Sequence, residues 1–174
     1  MATKIILVDR KDKEIGAGFK MKVHKEGKLH RAFSIFIFNS KGDLLLQKRS
    51  RKKYHSGGLW TNTCCSHPNL GETILSASHR RIKEEMGFDC DLKEIFSFIY
   101  KAKLNKGLVE NEFDHVLVGK FDGNPKINKK EVSDYKWASL KFLVSDIKQH
   151  PDDYSYWLKK CYSKVIKTTK NIIK

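Results

Sequence analysis

From residue 31 the chain reads RAFSIFIFNSKGDLLLQKR, apolar at both alternating positions until Asn39. It then turns through Ser40, Lys41, Gly42 and Asp43 and resumes as Leu44, Leu45 and Leu46. This pattern predicts a strand, a tight turn and a second strand. A strand apolar on both faces is covered from above and below, as inside a layered domain. The polar, basic, glycine-containing stretch SRKKYHSGGLW that follows predicts an exposed and mobile loop. From Glu72 to Met86 the residues suit a helix, with Asn69 and Gly71 ahead of it and Gly87 as its C-terminal stop. At the helical period Leu75, Ile82 and Met86 form one core-facing stripe, and Arg81 and Glu85, four apart, share a flank of it. EIFSFIYKA and VENEFDHVLVGKF predict two further strands, and the C-terminal half holds Trp137 and a helix from about Tyr154 onward. No repeat, low-complexity tract or long linker interrupts the chain, so the expected class is α+β, with α/β-type layering, in one domain spanning residues 1–174.

Composition narrows the function classes. The chain has 174 residues, 40% hydrophobic and 11% aromatic, with only three prolines, as expected of a folded protein and not a disordered one. No apolar run approaches the ~20 residues that span a bilayer, and the start MATKIILVDRKDKEIG carries no secretory pattern, so a cytoplasmic location is expected. A reducing compartment disfavours disulfides among Cys64, Cys65, Cys90 and Cys161, and no CxxC pair suggests a zinc ribbon. The formal charge of +15 draws heavily on lysines near the C-terminus. There Tyr162, Val165, Ile166 and Ile172 recur at roughly helical spacing, the mark of an amphipathic helix with a solvated basic face. A basic RNA- or membrane-binding module is the competing account, but no nucleic-acid motif supports it and it leaves the acidic residues and histidines unexplained.

Those residues carry the candidate chemistry. Side chains two apart on a strand point the same way, so Glu110 and Glu112 present two carboxylates on one face, with Asp114 following. Either this is the solvated face of an edge strand, or a divalent cation relieves the repulsion. His24, His30 and His67 offer imidazoles to combine with the two acids, a nitrogen and oxygen set that suits Zn²⁺, Mn²⁺ or Fe²⁺ more than calcium. Glu85 beside Arg81 is either an i,i+4 ion pair or a Mg²⁺ ligand next to a phosphate-binding guanidinium. Arg49 and Lys53 would then complete a diphosphate cradle.

The motifs TNTCCSHP (61–68), RRIKEEMGF (80–88) and VENE (109–112), in this order and at these intervals, resemble those of the type I isopentenyl-diphosphate isomerases, over a span from about Ile5 to Trp157. The resemblance implies a Nudix-type fold, a mixed β-sheet sandwiched between helices, and interconversion of isopentenyl and dimethylallyl diphosphates. It implies that Cys65 and Glu112 are the catalytic acid/base pair, with Tyr100 beside Glu112 as a relay. It further implies a first metal site, for Zn²⁺ or Mn²⁺, made by His24, His30, His67, Glu110 and Glu112, and Mg²⁺ held by Glu85 with the diphosphate. Lys20, Arg49, Lys53 and Arg81 would contact that diphosphate, and Trp157 would offer its aromatic face to positive charge on carbon. Cys64 matches a variable position. The implied partner is a small diphosphate, with no nucleic acid or membrane, and the chain is expected as a monomer or weak dimer. The N-terminal segment and the 50–58 loop are expected to close over the substrate, although Ser56-Gly57 stands where proline-glycine is common.

The rival is a Nudix hydrolase of nucleoside diphosphate derivatives. Its motif, GX5EX7REUXEEXGU, finds Glu72, Arg80, Ile82, Glu84, Glu85, Gly87 and Phe88 in place. However, Ser66 stands at its first glycine, and Arg81 stands where it carries a metal-binding glutamate. An acid replaced by a base there weakens a metal cluster and strengthens a phosphate grip.

Overall fold

An antiparallel hairpin, β1 (Lys4–Val8) with β2 (Glu14–Phe19), leads through α1 (Lys20–Glu26) into β3 (His30–Phe38) in the computed structural model, which describes residues 3–170. There follow β4 (Leu44–Arg49), two short strands β5 (Trp60–Thr61) and β6 (Cys64–Ser66), and α2 (Ile74–Met86). A long hairpin, β7 (Leu92–Lys103) with β8 (Val109–Lys120), is succeeded by β9 (Val132–Ala138), α3 (Leu140–Gln149) and α4 (Tyr156–Thr169). The sheet is mixed. β3 runs parallel to β8 along its full length and antiparallel to β1, β4 and β6 elsewhere.

Alternation along β3 explains the layers. Phe33, Ile35 and Ile37 point to one face, where Ala77, Ile82 and Met86 of α2 cover them. Phe36 and Phe38 point to the other, with Val116 and Val118 of β8, under Leu143 and Ile147 of α3 and Leu158, Cys161 and Val165 of α4. The expected mixed sheet between helices is therefore present. On this second face the same parity, continued toward the strand starts, carries His30, Ala32 and Ser34 of β3 and Glu110, Glu112 and Asp114 of β8. One end of the face is thus apolar core, and the other end is polar and buried.

Several sequence expectations change. α2 begins at Ile74, two residues later than expected, because Thr73 caps it: its side chain accepts from Ser76 N while Ser76 Oγ accepts from Thr73 N. Leu75 consequently falls in the exposed first turn, 47% accessible, and is no part of the core stripe that Ile82 and Met86 do form. Gly87 ends the helix at φ 74°, and a Cβ there would meet Lys126 O at 2.4 Å, so both conformation and space require glycine. β8 is no edge strand, since β3 and β7 flank it. The loop after β4 is not uniformly exposed either: Ser50, His55 and Ser56 are buried. In α4, Val165 is buried and Tyr162 and Ile166 half-buried, with Lys160, Lys164 and Lys167 outward. Ile172 lies outside the described residues. No helix among the described residues is long and apolar enough to cross a membrane.

Candidate active site

Strand register assembles the site. Glu112 is paired with His30 across β3/β8 and with Tyr100 across β7/β8, while Cys65 is paired with Ser34 across β3/β6. Paired residues share a face, so all of these side chains converge on the polar end of the sheet. The same alternation sends Cys64 the opposite way, fully buried against Ala77 and Ile82. The two adjacent thiols therefore occupy different environments. α4 adds Trp157, whose position is fixed by Ser155: its N–H donates to Trp60 O at 2.9 Å and its hydroxyl lies 2.7 Å from Thr61 Oγ1.

These elements line a narrow cavity that is partly open to solvent, the concave kind of place where small molecules bind. Cys65, Tyr100, Glu112 and Trp157 wall its inner part, and Lys20, Arg49, Lys53 and Arg81 bring positive charge to it. Of the expected residues, His67 and Glu110 also line it, whereas His24, His30 and Glu85 stand behind the walls. An adjoining outer cavity shares Lys20, Lys53 and Arg81 and adds Lys52 and Lys130.

His24, His30, His67, Glu110 and Glu112 are all buried and offer ligand atoms lying within 4.8 Å of one another. His24 Nδ1 lies 2.7 Å from Lys20 O and His30 Nδ1 2.8 Å from Lys28 O. These contacts place the ring protons outward and turn the Nε2 lone pairs inward, as in metal-ligating histidines. His24 Nε2 and Glu110 Oε2 have no hydrogen-bond partner despite full burial, and His30 Nε2 and His67 Nε2 approach to 3.2 Å. Two inward imidazole nitrogens, two carboxylates and orphaned buried atoms fit a divalent cation. Burial, together with the Glu112 charge, raises the Glu110 carboxyl above its usual range. Burial also pushes Glu112 upward, but its neighbours His30 and His67 outweigh it and hold this carboxyl well below its usual range.

Cys65 has four polar neighbours. Trp157 Nε1–H donates to its sulfur at 3.0 Å, its S–H donates to Asn62 Oδ1 at 2.9 Å, and Ser34 Oγ and Thr61 Oγ1 lie at 3.7 and 3.9 Å. The Asn62 amide nitrogen is engaged by Ile35 O and Cys64 O, which forces its oxygen toward the thiol. Burial pushes the Cys65 thiol up to about 12, so it rests protonated at neutral pH. Tyr100 O–H donates to Glu112 Oε2 at 2.5 Å.

The basic side is cross-linked by acids. Arg81 pairs with Glu85, which also receives Gln47 Nε2 at 3.0 Å and faces Lys53 Nζ at 3.6 Å. Glu131, unnoticed in the sequence, pairs with Lys53 and lies 3.7 Å from Arg81. Arg49 does more than face the cavity: its guanidinium donates to Ser56 O and His55 O and stands over the Trp157 ring, 5.1 Å from the centroid. Burial first, then the charges of Lys53 and Arg81, lower the half-buried Lys20 to about 8, while Glu110 pulls the other way. His55 is another residue that sequence reasoning missed; its presence in an apparently solvent-facing loop gave no signal of its burial.

The NUDIX domain family matches residues 28–161. The chain is 56% identical over 156 residues to "Isopentenyl-diphosphate Delta-isomerase 2" of Photorhabdus laumondii, covering 90% of this chain and 88% of the relative. It is 51% identical over 166 residues to the protein of the same name from Aromatoleum aromaticum, covering 95% and 88%. A crystal structure from Deinococcus radiodurans superposes with a TM-score of 0.73 over 91% of this chain and 99% of that one, at 19% identity, a likeness of fold. The chain thus belongs to the Nudix superfamily and, within it, to the isopentenyl-diphosphate Delta-isomerases.

Proposed function

We propose that this protein interconverts isopentenyl and dimethylallyl diphosphate, with Cys65 and Glu112 as its two proton-transfer groups. One observation carries the reading: a protonated thiol and an ionised, tyrosine-bonded carboxylate open into the same cavity, whose inner part is aromatic and whose flank is cationic.

Moving a double bond along a branched five-carbon chain adds a proton at one carbon and removes one at a neighbour through a tertiary carbocation-like state. The Cys65 thiol holds the proton to be delivered, and Glu112, with Tyr100 on its second oxygen, is the base that accepts one. After one turnover the thiol is ionised and the carboxyl protonated. The reverse conversion starts from that state, and exchange with solvent restores the first.

Trp157 serves by its ring face, and its indole N–H stabilises the thiolate that proton delivery leaves behind. The alkene has no polar handle, so Lys20, Lys53 and Arg81 orient it through the diphosphate, with Arg49 assisting from the loop. Burial of the reacting groups keeps water from the cation, which it would convert to an alcohol. Zn²⁺ or Mn²⁺ at the His24, His30, His67, Glu110 and Glu112 cluster would supply the positive charge that lets both carboxylates stay ionised, and Mg²⁺ at Glu85 would neutralise diphosphate charge.

A nucleoside diphosphate hydrolase is the weaker reading, because Arg81, tied to Glu85, fills a position where that motif needs a carboxylate, and the buried thiol has no task in it. The four unbonded cysteines suit the reducing cytoplasm, and the small cavity suits a small diphosphate and not a nucleic acid. An assay following allylic diphosphate formation from isopentenyl diphosphate, with and without chelator, tests the proposal. Metal-dependent formation supports it, and release of phosphate without an allylic product opposes it.

A further inference from the structure

The fourth buried histidine near the ion cluster has no task in the mechanism above. His55 belongs to the loop between β4 and β5, yet its side chain is 3% exposed and lines the cavity. Its Nε2 lies 2.7 Å from Glu110 Oε1, closer than the 3.4 Å and 3.9 Å that separate His24 and His30 from Glu110 Oε2. That Nε2 is off the direct hydrogen-bond line and has no other partner among the described residues. The opposite ring nitrogen is 3.2 Å from Ser56 Oγ, so a hydroxyl proton supplied there leaves the N–H on Nε2, from which a small turn of the ring or of the Glu110 carboxylate makes a hydrogen bond to Oε1.

The ring is boxed in. It meets Tyr54 edge to face at 4.3 Å and Trp157 at 5.9 Å. Its backbone is held as well, because Arg49 donates to His55 O and Ser56 O. Ser56 itself sits at φ 50°, a conformation that L-residues adopt at a cost and that persists where surrounding contacts enforce it. The same loop carries Lys53, which reaches the Glu85 and Glu131 carboxylates.

We infer that His55 is a positioning residue for the ion site: it holds Glu110 Oε1, so that Oε2 is the oxygen presented to His24 and His30, and thereby ties the Lys53 loop to the metal cluster. The inference rests on the reading of the five-residue cluster as an ion site and adds to it a sixth residue, outside the coordination set. A ligating carboxylate without such a partner rotates between one- and two-oxygen binding, whereas one held by its second oxygen keeps a fixed geometry. Losses of such outer partners weaken metal affinity by roughly 10- to 100-fold.

The test compares the unaltered 174-residue protein with His55→Leu, His55→Gln and His55→Asn, each loaded with Co²⁺ and titrated with a competing chelator while the visible absorption of the ion is recorded. Leucine should weaken Co²⁺ binding by roughly 10- to 100-fold and change the band shape. Glutamine, whose amide N–H reaches as far as Nε2, should restore most of both. Asparagine, polar but shorter, should behave as leucine does, and this comparison carries the test if the leucine variant fails to fold. Wild-type affinity and spectrum in all three variants, or equal weakening in all three, would overturn the inference. Failure of the unaltered protein to bind Co²⁺ would instead remove the ion-site reading beneath it.

Discussion

The indole N–H of Trp157 donates to the sulfur of Cys65 at 3.0 Å, across a separation of 92 residues in the chain. A donor aimed at sulfur favours the thiolate over the thiol, so this contact opposes the burial that pushes the thiol up to about 12. Trp157→Phe retains the aromatic face and loses the donor. Alkylation of Cys65 by a small neutral reagent should then slow at every pH below its pKa, and turnover should fall by about tenfold, the value of one hydrogen bond of about 1.4 kcal/mol. Unchanged alkylation and turnover would limit Trp157 to packing.

The two neighbouring thiols should separate cleanly by phenotype. Cys65→Ser should reduce turnover by at least about 10²-fold while leaving the thermal midpoint near that of the parent. Cys64→Ala removes a fully buried sulfur from the core under α2, and should cost about 1 kcal/mol of stability with turnover largely kept. Urea unfolding and steady-state rates on the same preparations check both. A reversed pattern would mean that strand alternation has been assigned the wrong way round.

Lys20 sets a pH dependence of known sign. In the proposed function its charged form binds diphosphate, and burial with the neighbouring Lys53 and Arg81 charges lowers it to about 8. Below pH 8 the free protein carries the charge. Above it, binding must first take up a proton, so kcat/KM should fall by about tenfold per pH unit. Lys20→Gln should have lower kcat/KM at pH 7 and lack this alkaline limb. Persistence of the limb in the variant would assign it to another group.

Much of this was legible because it depends on short-range periodicity. The period of two put Glu110 and Glu112 on one face, and the helical period put Arg81 beside Glu85; both hold in three dimensions. Ile82 and Met86 were legible for the same reason, and Leu75 was not, because the Thr73 cap starts the helix too late for it to be covered. β5 and β6 are two and three residues long, too short to carry a period. The partner of Lys53 and Arg81, Glu131, lies some 50 to 80 positions from them, a closure that only the tertiary fold makes. His55 was hidden for a different reason: a polar, basic, glycine-containing stretch reads as solvent-facing, and the Arg49 donors that fold it inward come from the preceding strand.

The most direct measurement follows isopentenyl diphosphate by proton NMR in D₂O with the metal-loaded protein and with Cys65→Ser and Glu112→Gln. Deuterium should enter the new methyl group as the allylic diphosphate appears, and both signals should vanish in each variant. Undiminished deuterium uptake and allylic product in either variant would contradict the assignment of this thiol and this carboxylate as the two proton-transfer groups.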